Sequence, residues 1–139
     1  MEHRSKRPRA YLSGPMTGVK DLNFPLFDYV TIRLSSAGYD VFNPANYTRR
    51  VFGKKLIDQP SRAIRRKMLA YELNWISLHA DIIFMLPDWQ NSSGACAERQ
   101  AAVACEIPVR EVPPNWLPDE YHGNHQLFAD QAQDPGAHL

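Results

Sequence analysis

A chain of 139 residues, 44% hydrophobic and 22% charged, has the size and composition of one soluble domain around one core, which excludes a two-domain organisation. No apolar run is long enough to cross a bilayer, and the basic, polar stretch from Met1 to Arg9 lacks the apolar segment of a secretory signal, so a cytoplasmic protein is expected. The net charge of +1 hides an asymmetry, 14 Lys/Arg against 5 Asp/Glu in residues 1–67 and 2 against 10 in residues 68–139, that lets the first half attract phosphate.

Residues 1–8 read as a basic arm. Arg9 to Gly14 then reads as a short strand running into the loop Gly14-Pro15-Met16-Thr17-Gly18, whose backbone N–H groups are free to face a ligand. Asn23 is the expected N-cap of a first helix, with Pro25 in its first turn, Phe24, Phe27, Val30 and Leu34 at helical spacing, and Gly38 as the stop. Tyr39 to Phe42 gives a second strand, closed by Asn43-Pro44. Residues 45–60 carry Arg49, Arg50, Lys54 and Lys55 and read as a long connection. A helix starting near Ser61 buries Ile64, Met68, Trp75 and Ile76, while Arg62, Arg65, Arg66 and Lys67 crowd its first turns. Cations there oppose the helix dipole, which points either to a nearby anion or to a solvated face.

Asp81 to Leu86, a continuous apolar run ended by Pro87-Asp88, is the clearest strand and suits a central position in a parallel sheet. Ser92-Ser93-Gly94 opens a third helix rich in alanine, and Ile107 to Val112 makes a fourth strand. Residues 119–139 read as an arm or frayed tail, so the α/β domain is placed at 9–112 and the C-terminal arm or tail at 113–139. Cys96 and Cys105, on one helix, stand about 13 Å apart, beyond disulfide reach, and are expected to be reduced.

The order β-α-β-α-β-α-β predicts an α/β fold: a single three-layer domain with a short parallel sheet in spatial order 2-1-3-4, flavodoxin/Rossmann-like, with helices on both faces. The first and third strands are then neighbours, and the loops after them, Ser13–Gly18 and Asp88–Gly94, frame the crevice where such sheets bind ligands. Expected substrate contacts are Ser13, Gly14, Pro15 and Met16 from one loop and Asp88, Ser92 and Gly94 from the other. Glu98, about one turn into the third helix, can project into the same crevice, and Ser92 with the free N–H groups beside it can hold an anion. A Ser-Ser-Gly helix start also serves as a plain cap, and a Glu in a first turn also simply complements the dipole.

Tyr11-Leu12-Ser13-Gly14-Pro15-Met16-Thr17-Gly18, then Glu72-Leu73, Ala80-Asp81, Leu86-Pro87-Asp88-Trp89 and Ser92 to Glu98 together resemble the nucleoside 2-deoxyribosyltransferase superfamily. The likeness is to its small phage- and prophage-associated members and to the deoxynucleoside 5'-monophosphate N-hydrolases, and it covers roughly residues 9 to 112. It implies cleavage of an N-glycosidic bond with Glu98 as nucleophile, Tyr11 orienting it, and no cofactor. Tyr11 reads equally as an aromatic packing in the first strand. The acid that protonates the leaving base is assigned to Glu72, where the family has aspartate, with Asp88 as second candidate. A serine at position 92, where the transferases have an aspartate, favours a 5'-monophosphate and hydrolysis.

Three functions stay open at this point: a nucleoside monophosphate N-glycosidase, a deoxyribosyltransferase, and a silent nucleotide binder. The expected partner is a small-molecule nucleotide, with no membrane and no nucleic acid. The resemblance implies a homodimer, with Trp75, Trp89 and Trp116 as candidate interface aromatics. The base, for which a modified pyrimidine is the guess, depends on residues 45–60. His122 and His125 lack the cysteine or acidic cluster that would complete a metal site, so no metal is expected.

Overall fold

The computed structural model describes residues 6–53 and 60–121. Four strands, β1 (Arg9–Ser13), β2 (Asp40–Phe42), β3 (Ile82–Met85) and β4 (Val109–Glu111), form one all-parallel sheet in the order β2-β1-β3-β4. The register pairs Tyr11 with Phe42 on one side and Tyr11 with Ile83 on the other, so β1 lies at the centre. Its N–H and C=O groups are consumed by both neighbours, which leaves side-chain alternation to decide what each face meets.

That alternation divides the core. Ala10, Leu12, Ile82, Phe84 and Leu86 point to one face and join Phe24, Phe27, Val30 and Leu34 of helix α1 (Phe24–Ser36). Tyr11, Ile83 and Met85 point to the other and join Ile76 of α3 (Arg62–His79) and Ala95 and Ala102 of α4 (Ser93–Ala104). The small side chains of α4 let it lie close to the sheet, which brings its first turns to the C-terminal ends of β1 and β3.

One helix was not expected. Residues 45–51, read from sequence as part of a connection, form α2 together with Pro44 (Pro44–Val51): Asn43 Oδ1 accepts from the Ala45 amide at 3.0 Å and Pro44 occupies the first turn. Asn-Pro is therefore an N-cap with its first helical residue as well as a strand stop. Arg49 ties α2 to α1 through two hydrogen bonds of 3.0 Å to Asp28, its guanidinium lying 4.8 Å over the Phe24 ring. Lys54 and Lys55 lie outside the described residues, as do His122 and His125.

Asn23 departs from expectation. It precedes α1 with a left-handed φ of 61°, makes no cap with its side chain, and instead donates from Nδ2 to the Pro15 carbonyl at 2.8 Å. Asparagine tolerates that backbone better than most residues. The domain also runs past residue 112: Leu117 is buried and Trp116 packs near Phe84, so residues 113–121 belong to the fold rather than to a tail. Cys96 and Cys105 are both free thiols, as expected. Among the described residues, no helix is long and apolar enough to cross a membrane.

Candidate active site

Tyr11 and Ser13 are two residues apart on β1 and so share the face covered by α4. Glu98 comes down from α4 between them. The Tyr11 hydroxyl donates to Glu98 Oε2 at 3.0 Å and the Ser13 hydroxyl to Oε1 at 2.7 Å, all three residues being buried. Both oxygens of one carboxylate are thus fixed by neutral donors that favour its charged form.

Glu72, one of the two buried residues on α3, reaches the same carboxylate and hydrogen-bonds it. Burial, the neighbouring Glu98 charge and this bond hold the Glu72 carboxyl well above the usual carboxylate range. Burial also raises Glu98, while its bonds from Glu72, Ser13 and Tyr11 pull it back down. Both carboxyls are raised, Glu72 well above the usual range and Glu98 against three bonds that pull it down, so the pair is set to share a proton and Glu72 holds it the more strongly. Burial, with both carboxylates nearby, pushes the Tyr11 phenol well up, which keeps it a donor.

An aromatic cluster packs against Tyr11. Tyr11 stacks on Phe42 at 5.3 Å, Phe42 meets Trp75 at 4.8 Å, and Tyr47 stacks on Tyr71 at 4.2 Å.

In front of the pair lies a cleft of about 540 Å³, to which Glu72 and Glu98 contribute the acidic floor. That volume falls in the range of small-molecule sites. One wall is apolar, from Met16, Phe27, Pro44, Met68 and Leu69. Another is the start of α4, where Ser92, Ser93 and Gly94 face the cleft. Ser92 Oγ accepts from the Ala95 amide at 3.1 Å, which caps the helix and leaves the hydroxyl proton to donate elsewhere. Arg62, Arg65 and Arg66 of α3 complete the lining. Gly14 also lines it and cannot be larger, because a Cβ there would lie 2.7 Å from Leu86 Cβ.

Of the residues singled out in the sequence, Glu98, Glu72, Gly14, Met16, Ser92 and Gly94 meet in the cleft, with Tyr11 behind Glu98. Ser13 is corrected in role: it has no exposure and spends its hydroxyl on Glu98, so it positions the carboxylate rather than touching a ligand. Pro15 and Asp88 do not line the cleft. The Pro15 carbonyl is the anchor for Asn23, and Asp88 sits half-buried in a left-handed turn (φ 67°) on the side of Tyr121. None of the three tryptophans is strongly exposed: Trp75 packs on Phe42, Trp89 carries the Arg99 guanidinium, and Trp116 faces Phe84.

Of the basic residues in the 45–60 connection, Arg49 is taken by Asp28 and Arg50 is outside the lining, and the cleft's cations come instead from α3. The readable signal was the dipole-opposing cluster at the start of α3. Thr17 and Asn91 lie in the two loops expected to frame the crevice, whereas Phe27, Pro44, Met68 and Leu69 of the apolar wall carried no local signal, because they reach it only through the fold.

No curated protein matches the chain. Residues 8–111, about three-quarters of its length, match the model of a domain of unknown function, DUF4406, and the chain belongs to that family.

Proposed function

We propose that this protein hydrolyses the N-glycosidic bond of a deoxynucleoside 5'-monophosphate and releases the free base. The observation that carries this is the buried pair of glutamates, Glu98 bonded on both oxygens by Tyr11 and Ser13 and Glu72 beside it with its carboxyl raised by burial, at the floor of a cleft of nucleotide size. Glu98 attacks C1 of the sugar and forms a glycosyl ester. The C1–N bond breaks with its electron pair going to the base nitrogen, which takes the Glu72 proton. Glu72, now a carboxylate, takes a proton from water as that water's oxygen attacks C1 and frees Glu98. The sum is addition of one water to give free base and deoxyribose 5-phosphate.

Charge supports the monophosphate. A glutamate pair holding one proton carries −1 and the three arginines of the lining carry +3, an excess that a phosphate dianion cancels and an uncharged nucleoside does not. Ser92 supports hydrolysis over transfer, since an aspartate there would repel that phosphate. Incubation with a deoxynucleoside monophosphate, with and without an acceptor base, tests the point: free base alone is the expected product, and an exchanged nucleotide or nucleoside would make the protein a transferase.

The proposal includes a cytoplasmic enzyme acting as a homodimer. Free Cys96 and Cys105 suit a reducing compartment. The dimer is supported by α3, 18 residues long with only Glu72 and Ile76 buried and with Tyr71 and Leu78 exposed by 46% and 68%. A dimer mass in solution that Leu78→Glu halves is the expected result.

A further inference from the structure

The cleft is divided by burial. Among its described lining residues, the buried polar side chains are Glu72 and Glu98, both committed to the reaction. Thr17, Asn91, Ser93 and the arginines are exposed, and Ser92 is half-buried. The wall formed by Met16, Phe27, Pro44, Met68 and Leu69 is apolar throughout.

Helix α3 sets which part of a nucleotide meets that wall. Met68 and Leu69 stand four and three residues before Glu72, so the three share one helix face, and helical side chains lean toward the N-terminus. The Glu72 carboxyl is therefore carried toward Met68 and Leu69. The atom that takes its proton is the base nitrogen of the breaking bond, which puts the base, rather than the sugar, against those side chains. Met16 joins them from the first loop: Met16 and Met68 are both partly buried against the core cluster that contains Phe27. The start of α4, with Ser92, is a separate wall.

Strong selection among bases requires a buried polar group that is left unpaired when the wrong base enters; an exposed threonine, asparagine or arginine returns to water instead. Glu72 does not select either, because the nitrogen it protonates is common to every base. An apolar pocket rejects a ligand of slightly different shape by only about 10- to 200-fold, against about 10⁴-fold or more where a buried hydrogen-bonding group loses its partner. Methionine adds tolerance, since its three rotatable bonds and polarizable thioether refit around rings of different size.

We infer that Met16 and Met68 grip the base without reading its edge, so that the substrate class is deoxynucleoside 5'-monophosphates irrespective of base, those of 5-substituted pyrimidines included. The inference rests on the glycosidase reading for the placement of the base beside Glu72.

The test pairs turnover with binding. Base release by the wild type is measured for the deoxynucleoside 5'-monophosphates of adenine, guanine, cytosine, thymine and 5-methylcytosine. The same nucleotides, with deoxyribose 5-phosphate as a base-free probe, are titrated calorimetrically into the full chain carrying Glu98→Gln. All the nucleotides should be cleaved, with affinities within about 100-fold of one another. Met16→Ala and Met68→Ala should each weaken every nucleotide by about tenfold and leave deoxyribose 5-phosphate unchanged, a split that a general disturbance of the fold would not give. KM values of the methionine variants give the same comparison should Glu98→Gln fold poorly. One base preferred by about 10³-fold or more overturns the inference, as do methionine variants that have no effect, weaken one base alone, or weaken the base-free probe equally. Base release with any of these results sinks this inference alone. Base-tolerant, methionine-dependent binding without release sinks the glycosidase reading alone, and no binding of any nucleotide sinks both.

Discussion

The Ser13 hydroxyl donates to Glu98 Oε1 at 2.7 Å, joining the end of the central strand to the second turn of a helix 85 residues later in the chain. Because Tyr11 holds the other oxygen from the same strand face, the orientation of Glu98 is set by β1 and not by its own helix. A carboxylate so held keeps one orientation toward the cleft.

Removing either donor should therefore lower kcat and leave KM nearly unchanged. Tyr11→Phe and Ser13→Ala each lose a hydrogen bond to a charged group, which corresponds to about a tenfold to hundredfold fall in kcat. Both bonds pull the Glu98 pKa down, so each variant should move the acid limb of the pH–rate profile to higher pH. Steady-state kinetics across pH reads both effects.

Glu72→Gln should separate stability from activity. The folded state holds the Glu72 proton more tightly than the unfolded chain does, so this stabilisation is complete below the ordinary carboxylate range and lost as pH rises toward the raised folded value. The glutamine is neutral throughout and still donates to Glu98. At neutral pH the variant should be more stable by about 1 kcal/mol, or about 3 °C in melting temperature, with little difference at pH 4. It should also lose the alkaline limb of the pH–rate profile and most of kcat. Differential scanning calorimetry at the two pH values checks the first claim.

Asn23→Ala should raise KM. Its amide holds the Pro15 carbonyl at 2.8 Å and its backbone is left-handed, so alanine loses both the tie and a favourable conformation. The neighbouring Gly14, Met16 and Thr17 line the cleft and would no longer be preset for a ligand. A stability loss of about 1 to 2 kcal/mol in urea titration should accompany a severalfold higher KM.

Gly14→Ala tests the close approach of the first loop to β3. A Cβ at 2.7 Å from Leu86 Cβ and 2.9 Å from its Cδ1 forces backbone to move, costing about 1 to 3 kcal/mol. Urea unfolding should show a lower midpoint with an unchanged slope.

Much of this molecule was readable in its residues because apolar patterning and chain order dictate a parallel sheet. Asp81 to Leu86 could be little else than a covered strand, and Tyr11, Ser13 and Glu98 converge because strand alternation and one helical turn are geometry, not context. What escaped depended on tertiary partners. Helix α2 was hidden because its basic residues look like a loop until Arg49 finds Asp28 on α1. Asn23 looked like a cap because nothing local shows that the Pro15 carbonyl stands beside it. The arginines of α3 were legible as a dipole conflict, but only the fold brings them to the wall that Glu98 floors.

The central claim is a carboxylate attacking C1, and one assay reaches it directly. Deoxynucleoside 5'-monophosphates of all common bases are incubated with the wild type and with Glu98→Gln, and released base is measured by chromatography. The wild type should release base from at least one of them and the variant should do so at least about 10³-fold more slowly. Equal release by the two proteins would contradict the role given to Glu98.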